Sequence, residues 1–379
     1  MPALSRFSAA PSNALGLIKC YVASAKRTAY DVGKMAAAKK TGVGFAPSPL
    51  RIGETTLTGP ALLAPMAGVT DPVMRRLARR LGAPATVSEM VTAAGVARGD
   101  RETAMRLEHA GEGPRVIQIA AREPEEISRA ARCAEDSGAD WIDINMGCPC
   151  KRVTGGLAGA ALMRDLDQAA RLISAARNAI CVPLSVKMRL GWDEGSRNAP
   201  ELARRAEAEG AAMVTVHGRT RQQFYSGRAD WPAIKAVKAA VSVPVIANGD
   251  CGGEDDAVAM LKHSGADGVM VGRAAMGQPW LVGDIAHFLT SGERRAPPTL
   301  EQRAEIAREH LEGLLLSMGA AAGLRHARKH LAAYVDRLAQ PAAAELRRRL
   351  VTTDSPAEAA RLIELIFEQS PIPEQSAAA

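Results

Sequence analysis

Eight short apolar runs, evenly spaced and separated by helical stretches, constrain this chain more than any other feature. They lie at 61–65, 85–90, 115–120, 141–145, 184–189, 213–217, 243–248 and 268–272. Runs this short and this apolar fit strands buried on both faces of a parallel sheet. The stretches 71–81, 123–137, 165–179, 199–209, 231–239 and 254–264 carry apolar residues at helical spacing. Gly82, Gly138, Gly210 and Gly265 close four of them as C-caps. A phrase of helix end, Gly-Ala and strand recurs at Ser137-Gly138-Ala139-Asp140, Glu209-Gly210-Ala211 and Ser264-Gly265-Ala266-Asp267. A doubly wound open sheet is the competing arrangement, but no long break interrupts the eight units. The expected class is therefore α/β: a (β/α)8 TIM barrel over residues 49–296, followed by a C-terminal all-helical domain.

Outside the barrel the composition changes. Residues 1–48 are rich in Ala, Ser and Lys, and Asp31 is the one acidic residue before position 45. Such a segment reads as a basic, disordered N-terminal extension, with a transit peptide or a true start at Met35 as alternatives. Beyond Pro297-Pro298, the stretches 299–318, 324–338, 342–351 and 355–369 are helical in pattern, with no strand candidate. Residues 297–370 are thus expected to form a helical domain, with 371–379 as a tail. Basic groups gather there at Arg325, His326, Arg328, Lys329 and His330, and again at Arg347-Arg348-Arg349. With a net charge of +7 over the chain, this density favours an RNA- or phosphate-facing surface over a merely solvated helix face.

Several function classes recede on composition. A hydrophobic content of 47% with 23% charged residues is that of a soluble globular protein. No uninterrupted apolar run approaches the ~20 residues of a membrane-spanning helix. The six cysteines are irregularly spaced, which suits a reducing cytoplasm. Cys148 and Cys150 form C-x-C with no histidine cluster close in sequence, so no metal site is expected. No apolar helix face is left over to build an interface, and the expected state is a monomer.

In a barrel, chemistry collects where the strands end and turn into helices. Those ends carry Pro65-Met66-Ala67-Gly68, Glu89, Gln118, Asn145 with Cys148, Lys187 with Arg189, His217-Gly218-Arg219, Asn248-Gly249-Asp250 and Gly272-Arg273. Any one of these is ordinary; eight strands aiming unusual residues into one mouth are not. Cys148 alone reads most often as a buried structural thiol, but Asn145, Gly147 and Pro149 around it make an irregular turn. Gly249 and Gly272, on the last two strands, allow a phosphate to approach the backbone, and Arg273 adds charge. A phosphate site joined to Lys187, Gln118 and the backbone at Pro65–Ala67 suits a flavin mononucleotide. There Gln118 bonds the ring edge and Lys187 offsets negative charge on the reduced ring. No G-x-G-x-x-G follows a strand, which argues against a tightly held dinucleotide.

Taken together, the motifs resemble those of bacterial tRNA-dihydrouridine synthases. The residues concerned are Ala64-Pro65-Met66-Ala67-Gly68-Val69-Thr70-Asp71, Asn145-Met146-Gly147-Cys148-Pro149 with Lys151, Val186-Lys187-Met188-Arg189, His217-Gly218-Arg219-Thr220-Arg221 and Asn248-Gly249-Asp250. Arg328-Lys329-His330 with Tyr334 is similar to the C-terminal signature of the B subgroup. The resemblance implies reduction of the C5–C6 bond of uridine in tRNA, with bound FMN and with NADPH or NADH as reductant. It implies Cys148 as the general acid to C5. It implies FMN contacts from Pro65, Met66, Ala67, Gln118, Lys187, His217, Asn248, Gly249, Asp250, Gly272 and Arg273. Asn145, Arg189, Arg219, Arg328 and Lys329 are then the expected tRNA contacts. The sequence departs from the family pattern at Cys150, at Cys251 and at Ala332-Ala333 before Tyr334. Two other readings remain open: a small-molecule flavin reductase on the same barrel, and an RNA-binding protein that has lost the chemistry.

Overall fold

The computed structural model describes residues 37–40, 49–111, 113–338 and 344–369. Its centre is eight parallel strands: β1 Ala61–Leu63, β2 Ala85–Val87, β3 Arg115–Ala120, β4 Trp141–Met146, β5 Leu184–Arg189, β6 Met213–His217, β7 Val245–Asn248 and β8 Gly268–Val271. Each pairs with the next, and β8 pairs back onto β1 through Met270 opposite Leu62. The sheet is closed, which excludes the doubly wound alternative.

Side chains alternate along a strand, so each run divides into two sets. One set, including Ile117, Ile119, Ile142, Ile144, Val186, Met188, Val214 and Val216, packs in the main core with the surrounding helices. The other faces the barrel axis. Low in the barrel it is apolar: Val87, Val116, Trp141, Met213, Ile246 and Met270. Leu50, Ile52 and Leu57 join this cluster from a short hairpin, Arg51–Ile52 against Thr55–Thr56, that precedes β1. Two or four residues further along each strand, the inward positions become polar: Gln118, Asp143, Asn145, Lys187, Arg189, His217 and Asn248. That switch from apolar to polar builds the site.

The six helices expected in the barrel begin and end within two residues of their expected bounds. Helix α1, Pro72–Arg80, starts at Asp71, whose carboxylate accepts from the Val73 and Met74 N–H groups. Gly82, Gly138, Gly210 and Gly265 all have positive φ, the conformation that ends a helix at low cost with glycine. After the barrel come α2 Leu300–Met318, α3 Ala320–Asp336, α4 Ala344–Thr352 and α5 Pro356–Glu368. Helix α3 starts four residues before the expected 324. Gly323, inside α3, allows α2 and α3 to cross closely. A Cβ on it would lie 2.4 Å from the Leu314 carbonyl oxygen.

The N-terminal expectation falls largely outside the described residues, as does the tail from 370 onward. Within it, Ala37–Lys40 is a strand, antiparallel to Glu293–Arg295. Among the described residues no helix is long and apolar enough to cross a membrane.

Candidate active site

The C-terminal ends of the strands surround a cavity of about 990 Å³. Fifteen of the seventeen site residues expected from the sequence line it: Cys148; Pro65, Met66 and Ala67; Gln118 and Asn145; Lys187 and Arg189; His217 and Arg219; Asn248, Gly249 and Asp250; Gly272 and Arg273; Arg328 and Lys329 do not. The register explains the convergence. Gln118 lies opposite Asp143, Asn145 opposite Lys187, Arg189 opposite His217, and His217 opposite Asn248. Neighbouring strands thus deliver their polar groups at similar heights.

Cys148 sits on the loop after β4, and side chains hold that loop. Asn145 Oδ1 accepts from the Cys148 N–H at 2.9 Å and the Gly147 N–H at 3.2 Å. Arg189 Nε donates to the Gly147 carbonyl at 2.7 Å, and its Nη1 donates to the carbonyls of Thr220 and Phe224, both at 2.9 Å. Arg189 therefore ties the β4 loop to the β6 loop, and its guanidinium is buried. Burial raises the Cys148 thiol pKa above its ordinary value, against the lowering pull of the Cys150 N–H, Arg189 and Lys187. At neutral pH the sulfur keeps its proton.

On the opposite side lie the ends of β7 and β8. Gly249 has φ +116, and a Cβ there would meet the Ala229 Cβ at 2.8 Å and His217 Cδ2 at 2.9 Å. Only glycine fits that turn. Asp250 is not free to face an anion: Arg219 grips it through Nη1–Oδ1 at 3.0 Å and Nη2–Oδ2 at 2.6 Å, and the Ala229 N–H adds a third bond. Arg219 is itself buried and also donates to the carbonyls of Ser226 and Gly227. Arg219 and Asp250 thus brace the wall of the site. Arg273 is more exposed and stacks over Tyr225, 4.8 Å from the ring centroid. Lys187 Nζ donates to Asn248 Oδ1 at 2.9 Å, leaving two further N–H bonds for the cavity.

The cavity is cationic. Burial lowers the Lys187 pKa to about 8 and Arg189 to about 10, so both stay charged at neutral pH. His217 is held well below its usual value by burial and by Lys187, Arg189, Arg219 and Arg273, and is therefore neutral. An anionic ring edge and a phosphate suit such walls. The apolar floor of Pro65, Met66 and Ala67, the backbone turn at Gly249 and the buried Lys187 ammonium fit an aromatic, phosphate-bearing cofactor.

The sequence profile of the family described as Dihydrouridine synthase (Dus) matches residues 62–371. The chain belongs to the dihydrouridine synthase family. It is 50% identical over 302 residues to the probable tRNA-dihydrouridine synthase of Rhizobium leguminosarum bv. phaseoli, covering 79% of this chain and 93% of the relative. It is 47% identical over 286 residues to tRNA-dihydrouridine synthase B of Xanthomonas campestris pv. campestris, covering 75% of this chain and 86% of that one. Its fold is similar to that of histamine dehydrogenase from Rhizobium sp. 4-9, with a TM-score of 0.51 and 12% identity, over 87% of this chain and 65% of that one.

The C-terminal helices meet the barrel along a closed seam. Asp71 Oδ2 receives His326 Nε2 at 3.2 Å, and His330 Nε2 lies 3.5 Å from it. His310 stacks near His330 and meets the Tyr334 hydroxyl at 3.3 Å. Lys329 Nζ lies 3.3 Å from His326 Nδ1 and close to Gly68, so it reaches the edge of the β1 loop without entering the cavity. Arg328 donates to the Thr353 carbonyl and to Asp354, tying α3 to the turn before α5. Arg347, Arg348 and Arg349 pair with Asp336, Glu345 and Glu358. The basic cluster is thus divided between seam contacts and surface ion pairs. The sequence reading passed over Asp143, Ser185, Tyr225 and Arg337. Arg337 reaches the cavity from α3's C-terminal end and donates to the Ala274 carbonyl. The signal for Asp143 was available, as an acid in the middle of an apolar strand.

Proposed function

We propose that this protein reduces the C5–C6 bond of specific uridines in tRNA, with FMN bound in the barrel mouth and NADPH or NADH as reductant. The observation that carries this reading is the convergence of a protonated thiol, a buried ammonium and a glycine turn on one cationic cavity. FMN, when bound, supplies hydride to C6 of the base.

The chain's own residues do the rest. The Gly249 and Gly272 turns, with Arg273, hold the phosphate through backbone N–H groups and one guanidinium. Asp250 contributes its backbone there, since Arg219 occupies its carboxylate. Gln118 and Lys187 would help hold the cofactor's ring, where Lys187 would offset negative charge. Pro65, Met66 and Ala67 would supply an apolar surface for the ring. Cys148 holds the proton that C5 of the base requires, and its raised pKa keeps that proton in place until it is needed. Asn145 and Arg189 keep the Cys148 loop rigid. A uridine reaches this depth only by leaving its stack, and Arg273, Lys151 and Arg337 at the rim meet the surrounding phosphates.

The test is nucleoside mass spectrometry of tRNA after incubation with purified, flavin-loaded protein and NADPH. Gain of dihydrouridine at one or two positions supports the proposal. Oxidation of NADPH with free pyrimidines, and none with tRNA, supports the small-molecule reductase instead.

A further inference from the structure

We infer that Asp143 is a positioning residue for the reaction: its carboxylate ends a directed hydrogen-bond chain that fixes Gln118, Asn145 and the Cys148 loop. The inference rests on the reading of Cys148 as the proton donor.

The chain runs one way. The Cys148 and Gly147 N–H groups can only donate, so Asn145 must turn its Oδ1 to them. Asn145 Nδ2 then points away, and donates to Gln118 Oε1 at 2.7 Å. Gln118 in turn directs its Nε2 to Asp143 Oδ2 at 2.8 Å. Ser185 Oγ donates to the other carboxylate oxygen at 2.6 Å. Every bond points toward Asp143, and a carboxylate is the one side chain that accepts on both oxygens and donates on neither. With asparagine in its place the charged acceptor is lost. The amide oxygen can still meet Gln118 Nε2, but its Nδ2 faces Ser185 Oγ, which must turn to accept, and Gln118 and through it Asn145 are held by a weaker, neutral bond. The chain spans β3, β4 and β5 and is buried along most of its length.

Among the charged groups, Lys187 pulls on Asp143. Burial raises the Asp143 pKa to about 6, against the pull of Gln118, Ser185 and Lys187. At neutral pH the terminal acceptor is ionised and the chain is set. Gln118 also lines the cavity, so the same carboxylate would fix how its amide is presented to a bound cofactor.

The experiment compares flavin-loaded wild type, Asp143→Asn, Asn145→Ala, the double variant and Ser185→Ala. Two readouts are taken: turnover on tRNA, and the rate at which iodoacetamide alkylates Cys148, followed on its own peptide by mass spectrometry. Asp143→Asn is expected to lower kcat by about 10- to 100-fold, with KM for tRNA little changed, as for a residue that acts through others. The Cys148 alkylation rate should shift by about 5-fold or more, and adding Asn145→Ala should cost at most about 3-fold further, because both act in one chain. Wild-type kcat and alkylation in Asp143→Asn, or fully additive losses, would overturn the inference. Should Asp143→Asn fail to fold, Ser185→Ala decides. Removing one donor to the carboxylate moves the acid limb of the kcat–pH profile upward, and an unmoved limb overturns the inference. The comparator Cys148→Ala separates the two readings. Turnover in Cys148→Ala sinks the proton-donor assignment; an inactive Cys148→Ala beside an unaffected Asp143→Asn sinks only the chain.

Discussion

Two aspartates in this molecule are equally buried and titrate in opposite directions. Asp71 lies at the seam between barrel and helical domain; Asp143 lies inside the barrel. Burial pushes both carboxyls upward. At Asp71, hydrogen bonds from His326 and His330 outweigh burial and hold the pKa well below the ordinary value. At Asp143, burial prevails and the pKa stands at about 6. The seam surrounds its charge with donors and closes over it. The barrel interior gives Asp143 two neutral donors, Gln118 and Ser185, and the pull of Lys187, which do not offset its burial. One region is arranged for stability and the other for chemistry.

The sharpest way to break that contrast is Cys148→Ala. Loss of a general acid should lower turnover by about 10²- to 10⁴-fold, while the thermal unfolding midpoint stays near that of wild type. A large fall in the midpoint would mean that the β4 loop serves the fold as well as the chemistry.

Asp71→Asn should do the reverse. Asparagine still caps α1 through its oxygen, but its amide then points a donor at the His326 Nε2–H. His326 cannot switch tautomer to accept, because Lys329 donates to its Nδ1. A buried donor facing a donor costs about 1–3 kcal/mol, read as a lower denaturant midpoint. The chemical step, measured in single turnover at low temperature, should change much less.

Acid should then separate the regions. His310 and His330 have pKa values lowered by burial, so their contribution is complete above the ordinary histidine value and is lost as pH falls below it. Asp71 follows at lower pH, as its lowered carboxyl protonates. Asp143 has the opposite sign: its raised pKa means that stability is lost as pH rises from the ordinary carboxylate value to about 6. Between about pH 4 and 6 it therefore offsets the acid loss at the seam, by up to about 1.4 kcal/mol per pH unit for one proton. Asp143→Asn should make the acid limb of the unfolding curve steeper in that window. An unchanged slope would mean that Asp143 is already ionised well below pH 6.

The barrel was legible because its signal is repeated. Eight apolar runs and four glycine caps tell one story, and closure through Met270 and Leu62 completes it. The mouth was legible for a related reason, since inward-facing polar residues at strand ends stand out against apolar runs. What stayed hidden is what depends on partners far away in sequence. Arg219 reads as a free cation until Asp250, 31 residues later, is seen to grip it. His330 reads as part of a basic surface until α1 supplies Asp71 from the other end of the chain. Asp143 was visible as a residue, but its meaning needs Gln118 on one neighbouring strand and Ser185 on the other.

The smallest effect concerns the outer face of the helical domain. Arg347 and Asp336 pair at 2.5 Å with both side chains substantially exposed. Such a pair contributes about 0–1 kcal/mol, so Arg347→Ala should move the denaturant midpoint by an amount close to experimental error. The RNA reading makes a separate demand. An exposed ion pair opens easily, and an arginine that turns to a phosphate releases about one counterion on binding. Arg347→Ala should then weaken tRNA binding and lower the slope of log affinity against log salt by roughly one unit. Unchanged affinity and slope would place the tRNA elsewhere, along the rim formed by Arg273, Lys151 and Arg337. The helical domain's part would then be to hold the seam and, through Lys329, the edge of the β1 loop.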